Sequence, residues 1–222
     1  MKNVNLRLSR SKSLKERSYE ALKDLIFTGK MVPGNLYNET SLAAKLGVSR
    51  TPVREALLEL SREGMTSFIP GRGVMVQQIT EEQIREVYEI RKLVEGHIIE
   101  EITASITTEN LARINAIIVK QKKMAEKNDL PAFIRADREM HFYMSLKHGN
   151  HQIDLIMLNI RDQVHRMGIK NVENSDRMWR VIEEHTAILS ALESKDKKAA
   201  YNSMIVHLCN SEEALITTIR NA

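Results

Sequence analysis

The chain has 222 residues, with 33 Lys and Arg against 29 Asp and Glu, a net charge of +4, and only 5% aromatics. Four prolines, nine glycines and 28% charged residues argue against an all-β sandwich and for a helix-rich protein of one large or two small domains. A single cysteine, Cys209, excludes an internal disulfide and a multi-cysteine zinc site. There is no apolar run of about 18 residues and no signal-peptide core, so a cytoplasmic location with no membrane contact is expected.

The charge is uneven. Residues 1–78 hold 13 Lys and Arg against 7 Asp and Glu, and the remainder is slightly acidic. A basic head on an acidic body suits a polyanionic partner for the head, most often nucleic acid, and equally a basic solvated surface with no partner.

In chain order, residues 1–12 read as a flexible basic arm with Lys2, Arg7, Arg10 and Lys12. Leu14, Ala21, Leu22, Leu25 and Ile26 then recur at helical spacing, with Ser13 and Glu16 placed as a capping box. A short helix is expected over Thr40–Leu46, closed by Gly47. A third begins near Ser49-Arg50-Thr51-Pro52, where the proline suits a first turn, and runs toward Gly64. Ser67–Ile69 and Val74–Val76 flank Pro70-Gly71-Arg72-Gly73 and read as a β-hairpin. This order over residues 13–78 is that of a winged helix-turn-helix. Six further helices are expected in residues 79–222, at about Thr80–Ser105, Glu109–Asn128, Leu130–His148, His151–Gly168, Asp176–Ser194 and Lys197–Asn221. Their short connections predict an antiparallel six-helix bundle, so the fold class is mainly α.

Two constellations carry chemistry. In the head, Ser49, Arg50, Thr51 and Arg54 are polar where the third helix begins, while Val53, Ala56, Leu57 and Leu60 can pack behind them. A recognition helix needs this division, because its N-terminal residues meet base edges and phosphates. Arg72 at the hairpin tip can reach a phosphate or the minor groove. In the body, Asp137 and His141 stand i, i+4 on one helix face, and His185 and His207 fall on apolar faces of the last two helices. One carboxylate and three imidazoles from separate helices can surround a divalent cation; each histidine taken alone can equally be a satisfied core residue. Arg91 lies in the inward stripe of Ile84, Val87, Tyr88, Val94 and Ile98, where it can bind a carboxylate or pair with Glu95. Cys209, two residues past His207, reads as an inert core thiol.

The run Leu46-Gly47-Val48-Ser49-Arg50-Thr51-Pro52-Val53-Arg54-Glu55-Ala56-Leu57, with Pro33-Gly34 before it and Glu63-Gly64 after it, resembles the GntR family of bacterial transcription regulators. The resemblance implies a homodimer on double-stranded operator DNA. It makes Arg50 and Arg54 the main base or phosphate readers, Ser49 and Thr51 phosphate contacts, and Gly71-Arg72 the wing tip. The second helix departs from the family at Glu39-Thr40-Ser41, where members often carry more charge. Asp137 to His141, Gly149-Asn150, Glu184-His185 and His207-Leu208 are similar to the FCD ligand-binding domain of the FadR branch, and six helices suit its VanR-like subgroup. That resemblance implies a divalent metal on Asp137, His141, His185 and His207, with zinc favoured and nickel, manganese or iron open. It also implies a small carboxylate effector that completes the metal's shell, with Arg91 as its anchor. Such a chain is a repressor relieved by a metabolite and not an enzyme. The alternatives are a metal-free body that takes an acyl thioester and a metal-dependent hydrolase or lyase.

Overall fold

A computed structural model describes residues 12–168 and 175–221. The basic arm, all but Lys12, and most of the expected break at 171–175 lie outside the described residues. The chain divides between Gln78 and Ile79 into two compact units.

The first unit starts with α1, Leu14–Phe27, whose entry is fixed by the Ser13–Glu16 capping box. Strand β1, Leu36–Tyr37, leads into α2, Glu39–Leu46, where Asn38 Oδ1 accepts from the Thr40 and Ser41 amides. Gly47 ends α2 at a φ of 66°, a left-handed position that suits a residue without Cβ. Helix α3 covers Arg50–Arg62, and β2, Thr66–Ile69, turns back into β3, Gly73–Val76. The three strands form an antiparallel sheet in the order β1-β3-β2, with Leu36 opposite Met75 and Phe68 opposite Val74. The sequence did not signal β1, because two residues are too few to show alternation. Leu22, Ile26, Leu42, Val53, Leu57, Leu60, Val74 and Val76 make the core of this unit.

The second unit is a six-helix bundle: α4, Glu81–Ser105; α5, Thr108–Glu126; α6, Leu130–His148; α7, His151–Gly168; α8, Ser175–Glu193; and α9, Lys197–Arg220. The elements are those expected, with ends shifted by a residue or so. Thr80, Thr107, Asp129 and Asp196 cap the starts of α4, α5, α6 and α9 with their side chains. Helix α4 packs most extensively against α9. Gly96 permits this, since a Cβ there would come within 2.7 Å of the Tyr201 ring. Cys209 is exposed, contrary to expectation. Its two-residue offset from His207 turns it about 200° round α9, away from the inward face. No helix among the described residues is long and apolar enough to cross a membrane.

Candidate functional site

In the first unit, an open groove of about 410 Å³ lies between the starts of α2 and α3 and the β2–β3 turn, and Arg50, Arg54, Gly71 and Arg72 all line it. Ser49 is the N-cap of α3 but makes no side-chain bond to the first turn. Its hydroxyl and the first N–H groups are thus left for an anion, with Thr51 exposed beside them.

The arginines are not loose. Glu39, buried at 7% exposure, accepts from Arg50 Nε at 2.9 Å and from Arg54 Nη1 at 2.8 Å. The Arg54 guanidinium also stands 5.4 Å from the centre of the Phe68 ring. Burial alone would raise the Glu39 carboxyl, but hydrogen bonds from the two arginines hold it below its ordinary value of 4.5. Sequence reasoning missed this carboxylate, since Glu39 lies 11 and 15 positions from its partners. The Arg50 Nη groups, and Nε and Nη2 of Arg54, remain available to a ligand.

In the second unit, one ligand atom each from Asp137, His141, His185 and His207 lies within 4.8 Å of the others. The four come from α6, α8 and α9, and the rings are 4%, 0% and 2% exposed. The Nε2 atoms of His141 and His207 are 3.2 Å apart, and those of His185 and His207 3.4 Å. Asp137 Oδ1 is 3.5 Å from His185 Nε2 and 4.0 Å from His141 Nε2.

The outer nitrogens explain this orientation. His141 Nδ1 meets Glu95 Oε2, His185 Nδ1 meets Gln121 Oε1 at 2.9 Å, and His207 Nδ1 meets Glu184 Oε2 at 2.7 Å. Each oxygen accepts a hydrogen bond from Nδ1–H, and that tautomer leaves the Nε2 lone pair pointing inward. Burial pushes the His185 ring well below 6.5 and lowers His207 against the opposing pull of Glu184, so both stay neutral at neutral pH. Three inward lone pairs repel one another, and a shared divalent cation satisfies all three. The residues present therefore fit a metal ion.

The acceptors are themselves fixed. Burial would raise Glu95, but Arg91, with Nε at 2.7 Å, and His141 pull it down to about 2. Glu184 is likewise pulled against burial to about 2 by His207 and by a two-pronged bond from Arg177 at 2.7 and 3.2 Å. Sequence reasoning gave neither Glu184 nor Gln121 a role behind the rings. Gln121 did carry a signal: it is a polar residue in the buried stripe of Ile114, Ile117, Ile118 and Ala125.

Arg91 does point inward, at 3% exposure. It makes the i, i+4 pair with Glu95, stands 4.9 Å from the Tyr88 ring centre, and lines a cleft with Asp137 and His141. Asp137 also borders a second cavity with Tyr88, Arg177 and Ser211.

Residues 14–76 match the family described as bacterial regulatory proteins, gntR family, and residues 86–210 match the FCD domain. YdhC of Bacillus subtilis, an HTH-type transcriptional regulator, is 29% identical over 203 residues, covering 89% of this chain and 88% of its own. RspR of Escherichia coli, an HTH-type transcriptional repressor, is 24% identical over 212 residues, covering 96% and 93%. The solved structure of E. coli McbR/YncC superposes with a TM-score of 0.77 at 24% identity, over 94% of this chain and all of that one.

Proposed function

The chain belongs to the GntR family of bacterial transcription regulators, with a DNA-binding winged helix ahead of an FCD domain, and from this we propose a metal-dependent repressor released by a small carboxylate. In this reading a homodimer places two α3 helices on operator half-sites about one helical turn apart. Arg50 and Arg54 read bases or phosphates, Ser49 and Thr51 hold phosphate, and Gly71-Arg72 forms the wing contact.

The metal part rests on one observation: three imidazoles present Nε2 to a common point, each fixed from behind by its own acceptor. With Asp137, they would hold a divalent ion. Nitrogen donors plus one carboxylate suit zinc best, with nickel, manganese or iron in range. Bound there, the ion supplies a Lewis-acidic position for a carboxylate. Arg91 adds a buried positive charge in the same cleft, oriented by Glu95. An effector changes DNA affinity only by binding two conformations unequally. Helix α4, which carries Arg91 and Glu95, is the body's first helix and so follows directly on the head in sequence.

The test joins metal analysis to operator binding. Protein purified without chelator should carry about one divalent ion per chain, and a metal-dependent acid should weaken its gel shift on its own promoter DNA. Protein that takes up no metal and gains no thermal stability from added zinc would remove the sensing half of the proposal. An unaltered gel shift in Arg50→Ala would remove the reader assignment.

A further inference from the structure

The cleft beside the four-residue cluster contains more positive charge than the cluster requires. Arg91, Arg138 and Arg161 line it together with Asp137 and His141. Arg91 is matched by Glu95 at 2.7 Å. The other two arginines are placed differently. Arg138 Nη2 and Arg161 Nε each stop 3.6 Å from Asp162 Oδ1, inside ion-pair range but outside hydrogen-bond range. The Nε atoms of both are shielded from solvent and have no acceptor. Arg161 also rests against Phe142, 5.5 Å from the ring centre.

An unsatisfied N–H on a shielded guanidinium is costly, and two such groups side by side repel as well. Planar guanidinium forks are shaped for the paired oxygens of a carboxylate or phosphate. Arg138 follows Asp137 directly and precedes His141 by three residues on α6. The arginine pair and the metal-type donors therefore share one cleft while occupying different parts of its wall.

We propose that Arg138 and Arg161 form a second anion subsite, so that the effector is a small acid with two anionic groups rather than a monocarboxylate. This rests on the carboxylate-sensing reading of the same site. One group lies at the donor cluster and Arg91, and the other bridges Arg138 and Arg161.

The test uses full-length, zinc-loaded protein with its metal content measured, titrated calorimetrically with acetate, lactate, succinate, malate and 3-phosphoglycerate. At least one dianionic probe should bind about tenfold to a hundredfold more tightly than lactate. Arg138→Gln, Arg161→Gln and the double variant should bring that ratio close to one while metal content and lactate affinity stay unchanged. If Arg138→Gln fails to fold, Arg138→Lys and the more exposed Arg161→Gln carry the test. Arginines that only tie α6 to α7 would lower the melting temperature and leave the ratio alone.

Equal affinity for single and double acids overturns the proposal, as does a preference that survives in the double variant or a failure of every dianionic probe to bind. Metal-dependent lactate binding without a diacid preference sinks this inference and keeps the metal reading. A preference that persists in metal-free protein keeps the arginine subsite, and lactate binding that is unchanged without metal retires the metal.

Discussion

Each unit sets a carboxylate between two basic groups, and the two settings differ in burial. In the head, Glu39 is 7% exposed while the side chains of its partners Arg50 and Arg54 are 61% and 51% exposed. In the body, Glu95 and both its partners, Arg91 and His141, are sealed at 4% or less. The head carboxylate orients arginines that still offer most of their N–H donors outward, so a polyanion can be added without breaking the pair. The body carboxylate spends itself inward: one oxygen orients a ring and the other holds a guanidinium. The same three-group device thus presents charge in one place and fixes a donor atom in the other.

The largest test of this contrast is His185→Ala. Loss of one inward ring should lower zinc affinity by more than the ~100-fold seen at the top of the range for outer partners. Competition against a chelating dye measures this, and operator binding by the metal-free protein should not change. An unchanged zinc affinity would break the body half of the comparison. Arg54→Ala comes next, with operator affinity down by about 1–3 kcal/mol at fixed salt in fluorescence anisotropy. Retained affinity would mean that the outward guanidinium is not a reader. Glu184→Gln should weaken zinc by about tenfold, because His207 loses a charged acceptor but keeps a hydrogen-bonding one.

The smallest effect concerns pH in the head. Glu39 titrates lower in the folded chain than its ordinary 4.5, so its pairing stabilises the head fully above that value. The stabilisation fades as pH falls through the lowered value. Urea midpoints across this window should fall less steeply in Glu39→Gln than in the parent, and parallel curves would show that the pair contributes nothing.

The head was readable because its signals are local. The Ser13–Glu16 box, Gly47, Pro52 and the glycines at the turn each act within a few residues of where they stand. In the body, Asp137 and His141 share a face at i, i+4, and His185 and His207 each break an apolar stripe. Their convergence requires helix packing that spacing alone does not encode, and the family resemblance supplied it. The outer partners were out of reach for the same reason. Glu95 meets a ring 46 positions away and Gln121 one 64 positions away, so no periodicity links them. Nothing in the sequence marks Arg138 and Arg161, whose Nε atoms are shielded and without an acceptor.

Strand β1 has a consequence for how the head opens. Its two residues pair with β3 and run straight into Asn38, the cap of the helix that carries Glu39. A Cβ at Gly73, with φ at 120°, would collide with the Tyr37 carbonyl, so the two backbones touch at this point. The wing therefore cannot peel away without pulling at the start of α2. In hydrogen exchange, the amides of β3 and those of the first turn of α2 should report one shared opening event rather than two.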